Sequence, residues 1–484
     1  MNNLIESIFN GVFVNNLTNK IAIKTKDDEI TYSNLANLVA STAEFLKRKK
    51  LKKNDIILNA LGNTIQQIIV HYASFLIGII AIPVPSYINR NNASFYIESF
   101  HPVLIFSNSE ISSLFKIPAI EINNFSELEK ITKNIFQIYK YNINNKVNPN
   151  DIISVLLTTG SSGIQKGVKL THRSINQAID NITGFIKYTN KNKEIIPIPI
   201  NHSFGLGHVY CTHVKGGSVY LLDGIKSLKE FYYAFKFDYN GIALTPSMIK
   251  LLTSEKTKEK TLQSFNKLDY MVINSEVLDT NITKLLKQNC SNLIIYYYYG
   301  LTEASRSFFI NLSLEKEKYY KSVGKPASKD VKVKLIEDEI YIGGNHLFSG
   351  YMNNENSNII NGYLKTGDLG YIDSQGYLFI TGRKKNIINV GGFKVSALHV
   401  SETLKKIDGI EDIAVISIFD SITGEKPAVL IVGKNLSKEK IMNFSNKNLD
   451  FHAIPKKIVF HEFIPKSDTG KIIIEEVRRI IEED

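Results

Sequence analysis

The chain has 484 residues, 43% hydrophobic and 22% charged, with a formal net charge of +11. That length exceeds a single hydrophobic core and that composition excludes a disordered or fibrous chain, so about three globular units are expected. The basic residues are spread along the sequence, apart from short clusters at 47–53 and 383–385, and no nucleic-acid-binding signature accompanies them. The charge therefore reads as solvated surface that also suits anionic substrates.

In chain order, a strand end at 29–32 leads into an amphipathic helix at 33–49, with Ser33 as its N-cap. A strand at 55–60, an apolar helix at 64–78 and strands at 79–84 and 103–107 follow. Residues 154–157 read as a buried strand end, 168–170 as a resumed strand and 174–186 as a helix. Further strands fall at 195–199, 219–222, 242–244, 270–273 and 293–298. This β-α alternation up to about residue 320 predicts a parallel sheet with helices on its faces. From 321 the pattern changes to short strands at 331–336, 339–342, 369–372 and 377–381, a small, largely antiparallel barrel or sheet. A last α+β unit carries helices at 396–406 and 438–449 and strands at 413–418 and 428–432. The two cysteines, Cys211 and Cys290, have no metal spacing. The N-terminus lacks a basic region and a cleavage site. The most apolar run, 68–84, is interrupted by His71 and ends I-P-V-P. These features predict a cytoplasmic protein without integral membrane association.

Five stretches carry chemistry. Residues 158–163 read T-T-G-S-S-G, followed by Lys166 and Gly167. Glycines let backbone N–H groups close on anionic oxygens, hydroxyls donate further bonds and the lysine adds charge, as a polyphosphate cradle requires. It is not a Walker loop: only two residues separate Gly163 from Lys166, and Gly167 stands where Ser or Thr would. In isolation the favoured reading is an ordinary surface turn, and the partner stretches reverse it. Y-Y-Y-Y-G-L-T-E at 296–303 offers Tyr299 for stacking, Thr302 as a hydrogen-bond donor and Glu303 as an oxygen ligand for Mg²⁺, while Tyr296, Tyr297 and Tyr298 read as core. K-T-G-D at 365–368 places an aspartate that can accept two hydroxyls. G-R-K-K-N-I-I-N-V-G-G-F-K-V-S at 382–396 sits at the expected domain junction, and I-P-K-S-D-T-G-K-I at 464–472 ends on a loop lysine.

Together, and in this order, the five stretches resemble the adenylate-forming superfamily: acyl- and aryl-CoA synthetases, nonribosomal peptide synthetase adenylation domains and luciferases. T-Y-S-N-L at 31–35 and G-I-I-A-I-P-V-P at 78–85 extend the resemblance over nearly the whole chain. It implies an α/β fold: an N-terminal adenylation domain, 1–383, of stacked αβ sheets plus a small β-barrel, and a mobile α+β C-terminal domain, 384–484.

The resemblance also implies roles. Thr158, Thr159, Gly160, Ser161, Ser162, Gly163 and Lys166 correspond to the phosphate loop. Tyr299, with Gly300 beside it, resembles the adenine-stacking position, and Glu276 a strand end near adenine, where Asn274 and Ser275 replace a small pair. Thr302 resembles the α-phosphate contact, Glu303 the Mg²⁺ ligand, Asp368 the ribose-binding aspartate and Arg383 the arginine beside it. Lys385 falls at the hinge, Gly391, Gly392 and Lys394 on the thiol side, and Lys471 at the catalytic lysine. His202 resembles the gate histidine of an acyl pocket formed with Gly205, Thr245, Ser247, Ser275 and Tyr298. Ser203 stands where amino-acid activators carry an aspartate, which implies an acyl or aryl acid. The implied reaction uses ATP and Mg²⁺ to form an acyl-adenylate, then transfers the acyl group to CoA or a carrier-protein phosphopantetheine. Alternatives are an adenylation protein serving only a carrier, an amine or a hydroxyl, and a non-catalytic nucleotide-binding relative. The chain departs from the family pattern at Gln165, Asn386, His399 and Ile473 or Ile474, mostly on the thioester-forming side.

Overall fold

The structure is a computed structural model that describes residues 4–85, 88, 90–131, 148–159, 165–225, 227–276, 278–352, 358–391, 393–467 and 470–484. The chain forms two compact units, residues 1–332 with 343–364, and residues 333–342 with 365–484.

In the first unit a six-stranded sheet runs Ala119–Glu121, Leu104–Ser107, Ile56–Asn59, Ile80–Pro83, Ile152–Thr159, Gln165–Thr171. The first five strands are parallel, and the last two form an antiparallel hairpin. Leu104–Ser107 and Ile80–Pro83 are buried at every position, as strands covered on both faces must be. A second sheet contains six parallel strands in the order Ile21–Lys24, Ser218–Leu221, Lys193–Ile196, Gly241–Leu244, Tyr270–Ile273, Ile294–Leu301. Its edges differ from the purely parallel expectation. Glu29–Thr31 pairs antiparallel at one edge, and Ala304–Asn311 and Ser322–Pro326 pair antiparallel at the other. Only two residues join Ile294–Leu301 to Ala304–Asn311, too few for the crossover a parallel pair needs.

Helix Ile65–Ile77 is held at its start by the Thr64 side chain, which accepts from Gln67 N, and stops at Gly78 in the left-handed conformation. It is buried almost throughout. His71 Nε2 lies 2.7 Å from the Tyr210 hydroxyl, and the Tyr72 hydroxyl lies 2.8 Å from His213 Nδ1. These bonds tie it to helix Ser203–Val214, so helices of the two sheets face each other. The preceding helix spans Tyr32–Arg48 and is capped by Thr31, not Ser33: Thr31 is extended and its hydroxyl accepts from Asn34 N. Both cysteines are free and buried. No helix among the described residues is long and apolar enough to cross a membrane.

Burial pushes His71 down to about 3, and His172, His213 and His346 to about 4. Each is neutral when folded and binds a proton near 6.5 when unfolded. The unfolded state therefore holds more protons below pH 6.5, and stability falls as pH drops toward the folded values. The urea midpoint is expected to decline between pH 6.5 and 5, with each histidine contributing up to about 1.4 kcal/mol per pH unit. A flat midpoint over that range would contradict it.

In the second unit the strands Ile387–Val390, Phe393–Ser396, Ile410–Asp420, Gly424–Gly433 and Lys457–Phe460 form one sheet. The two-residue period sorts its side chains. Ile413, Val429 and Ile431 pack with Val400, Leu404 and Ile441 of helices Ala397–Leu404 and Lys438–Asn448. Ala414, Ile416, Ala428 and Leu430 pack with Val477 and Ile481 of helix Ile474–Glu483. The same unit holds the antiparallel pairing of residues 368–372 with 378–383, as the change of period predicts.

Candidate active site

In the first unit, the C-terminal ends of three adjacent parallel strands bring distant residues together, the usual place for a ligand crevice in an α/β sheet. Thr245 caps helix Pro246–Leu252, and its hydroxyl lies 2.9 Å from that of Ser247. Ser247 donates to Glu276 Oε1 at 2.6 Å, and Glu276 O accepts from the Tyr297 hydroxyl at 3.0 Å. Ser275 has φ +85°, a left-handed conformation that a non-glycine residue holds only when its surroundings impose it. Its neighbour Asn274 donates to Tyr298 O at 2.6 Å. Tyr298 is buried and packs against Phe204 and Phe309, whereas Tyr299 is half-buried beside Phe308.

Thr302 and Glu303, both half-buried, form the turn between Ile294–Leu301 and Ala304–Asn311. Gly300 sits in a register shift of that hairpin, where a Cβ would lie 2.6 Å from Arg306 N, so no side chain fits. The Tyr351 hydroxyl donates to Glu303 Oε1 at 2.8 Å. Lys166 Nζ lies 5.0 Å from the centroid of the Tyr351 ring. Tyr351 is carried by a segment that pairs with Gln165–Thr171: Met352 N donates to Gly167 O at 2.7 Å and Ser349 N to Lys169 O at 2.9 Å. Lys166 pairs with Thr158 across the hairpin. The lysine of the phosphate-loop stretch and the acid of the T-E turn thus meet on one tyrosine that sequence reasoning did not single out. Gly160, Ser161, Ser162 and Gly163 lie outside the described residues, and Thr159 is described by its backbone alone, as the last residue of its strand.

Burial, with the Glu303 charge beside it, pushes the Tyr351 hydroxyl far above the ordinary phenol value, so it remains a donor at neutral pH. Among the described residues, no three His, Cys, Asp or Glu side chains converge as a metal cage. A single carboxylate fits Mg²⁺, which keeps its waters and relies on substrate phosphates. Tyr351→Phe is expected to raise the Mg²⁺ concentration needed for half-maximal ATP–pyrophosphate exchange about tenfold. A magnesium titration of both proteins checks this, and an unchanged requirement would remove Tyr351 from the site.

His202 is the N-cap of helix Ser203–Val214, with no side-chain cap bond. Gly205 is small for packing: a Cβ there would lie 2.6 Å from Pro199 O. Behind this helix Glu194 is fully buried. It accepts from the Tyr188 and Thr212 hydroxyls at 3.1 Å and lies 3.0 Å from His208 Nδ1.

In the second unit, Asp368 and Arg383 face each other across the strand pair, and Arg383 Nε donates to Asp368 Oδ1 at 2.6 Å. The aspartate side chain is nearly buried and the arginine is half-exposed. Lys385 lies in the exposed 3₁₀ turn Lys384–Asn386. Gly391, with φ +58°, follows Val390 at a turn where Val390 pairs with Phe393, and Lys394 is exposed on the return strand. Gly392 lies outside the described residues. Lys471 is exposed on a tight loop, its carbonyl accepting from Ser467 N at 2.8 Å.

The AMP-binding enzyme family profile matches residues 12–352, and the AMP-binding enzyme C-terminal domain matches residues 399–471. The chain is 26% identical over 489 residues to a 4-coumarate–CoA ligase-like protein of Arabidopsis thaliana, covering 94% of this chain and 85% of that one. It is 24% identical over 479 residues to a 2-succinylbenzoate–CoA ligase of Bacillus cytotoxicus, covering 96% of each. ATP-bound MatB from Rhodopseudomonas palustris shares the fold, with a TM-score of 0.88 at 19% identity over 99% of both chains. With its motifs in family order and both domains matched, the chain belongs to the AMP-binding enzyme family and is an AMP-forming acid–thiol ligase.

Proposed function

We propose that this ligase activates an acyl or aryl acid rather than an α-amino acid, and passes it to coenzyme A in the cytoplasm. A carboxylate oxygen attacks the α-phosphorus of ATP, the bond to the β-phosphate oxygen breaks and pyrophosphate leaves. A thiolate then attacks the acyl carbon and AMP departs. Lys166 and the loop from Thr158 to Gly163 cradle the leaving phosphates. Tyr299, Gly300 and Glu276 border adenine, Thr302 contacts the α-phosphate, and Asp368 with Arg383 takes the ribose. Glu303 would hold Mg²⁺, which would supply positive charge to the phosphates when bound. Lys471 offsets charge between carboxylate and α-phosphate, and positioning with charge neutralisation provides most of the acceleration. His202, Gly205, Thr245, Ser247, Ser275 and Tyr298 surround the acid. The C-terminal domain, residues 384–484, turns about Lys385 between the steps and presents Gly391, Gly392 and Lys394 to the thiol.

The observation that supports this reading best is the Lys166–Tyr351–Glu303 arrangement, which gathers phosphate-binding charge and a metal-binding carboxylate at one place. The test is ATP–pyrophosphate exchange across a panel of acids, followed by thioester formation with coenzyme A and with a phosphopantetheinylated carrier. Exchange that yields a thioester with the carrier alone would replace coenzyme A as the acceptor. No exchange with any acid would refute the ligase reading.

A further inference from the structure

Arg306 is only 3% exposed and holds a left-handed backbone, φ +61°. Its Nη2 donates to Ser203 O at 3.1 Å and Phe204 O at 3.3 Å, its Nη1 donates to the Ser305 hydroxyl at 2.6 Å, and its Nε has no partner. Among the described residues no carboxylate pairs with it. Buried Glu194, the acid in the same core, is already engaged by Tyr188, Thr212 and His208. The guanidinium lies 5.8 Å from the Tyr298 ring centroid and rests on Gly207, where any Cβ would collide with it.

Beside it is a cavity of about 30 Å³, bordered by Ser203, Ser305 and His346 on the arginine side and by apolar side chains such as Leu170, Ile175 and Ile179 elsewhere. His346 Nδ1 is likewise buried without a partner. A buried cation satisfied mainly by neutral acceptors is costly, and the cost is recovered when an anion arrives with its own acceptors. Ser203, which borders the cavity, directly follows His202 of the proposed acyl pocket, and the Tyr298 ring of that pocket lies 5.8 Å from the guanidinium.

We propose that Arg306 is the specificity-determining residue of this pocket and that the activated acid carries a second carboxylate, which pairs with the guanidinium. This rests on the ligase reading above. The planar fork suits a carboxylate taken by two parallel N–H bonds. The cavity of about 30 Å³ beside the guanidinium has room for a carboxylate and little more, so the acid proposed is a short one.

The test measures ATP–pyrophosphate exchange of the full chain with succinate, glutarate and phthalate against butyrate, valerate and benzoate. The wild type is expected to favour each diacid over its partner by about 100-fold in kcat/KM. Arg306→Gln is expected to remove that preference, chiefly by raising KM for the diacids, and Arg306→Lys to restore part of it. Equal use of the monoacids by the wild type overturns the inference and leaves the ligase reading standing. So does an equal loss on both classes in Arg306→Gln, which would make Arg306 a packing residue. No exchange with any of the six acids overturns the inference and leaves the ligase reading to be decided by the wider acid panel. The wild-type comparison needs no variant to fold.

Discussion

Replacing Lys471 by Ala is expected to slow ATP–pyrophosphate exchange by about 10²- to 10³-fold while leaving ATP affinity within a few-fold of wild type. The lysine is proposed to act on charge that develops between carboxylate and α-phosphate, so its loss falls on the chemical step. Lys471 is exposed, and its loop is held by backbone bonds: Ser467 N donates to Lys471 O and Gly470 N to Ser467 O, both at 2.8 Å. Lys466 anchors the loop through a 2.7 Å ion pair with Asp412. Truncating the side chain removes none of these, so stability should change by no more than about 0.5 kcal/mol. Lys471→Arg should recover little, because a wide planar fork does not replace a compact ammonium. Wild-type exchange in the alanine variant would take Lys471 out of the reaction.

Glu303→Gln is expected to lower exchange by about 100-fold at physiological Mg²⁺, with partial recovery at high Mg²⁺. Glutamine keeps the shape of the side chain and an oxygen that can accept the Tyr351 hydroxyl, so the change is confined to charge. Glu303→Ala differs in kind. It leaves a half-buried tyrosine hydroxyl without its acceptor, at a cost of about 1–3 kcal/mol in stability as well as activity. Comparing the two in magnesium titrations and urea denaturation separates charge from packing. A glutamine variant with wild-type rate and magnesium dependence would show that the carboxylate does not hold the metal.

Much of this site was legible because its parts are local. A strand end running into small hydroxyl residues, a T-E turn and a loop lysine are each written in adjacent residues. So are the helix over 64–78, with Thr64 and Gly78 at its ends, and the alternating strands of the second unit. The helix Ser203–Val214 was harder to see. It is apolar and buried all round, so it lacks the one-sided stripe that marks a surface helix. The antiparallel edge Ala304–Asn311 was also missed, since its buried run looks like any other core strand. Thr31 displaced Ser33 as a cap because capping depends on where the chain first leaves the extended conformation, and both residues have suitable hydroxyls.

The sequence by itself determined the class of chemistry and the order of the parts, and it nominated the residue types proposed for phosphate, metal and ribose. Only the tertiary structure decided which of them share a site. Tyr351 reaches Glu303 from 48 positions away, and Arg306 meets Ser203 from 103 away. Such meetings depend on strand register, on how closely the Arg306 side chain approaches Gly207 and on how closely backbones approach at Gly300. Those are properties of packed sheets and helices, and no stretch of adjacent residues encodes them.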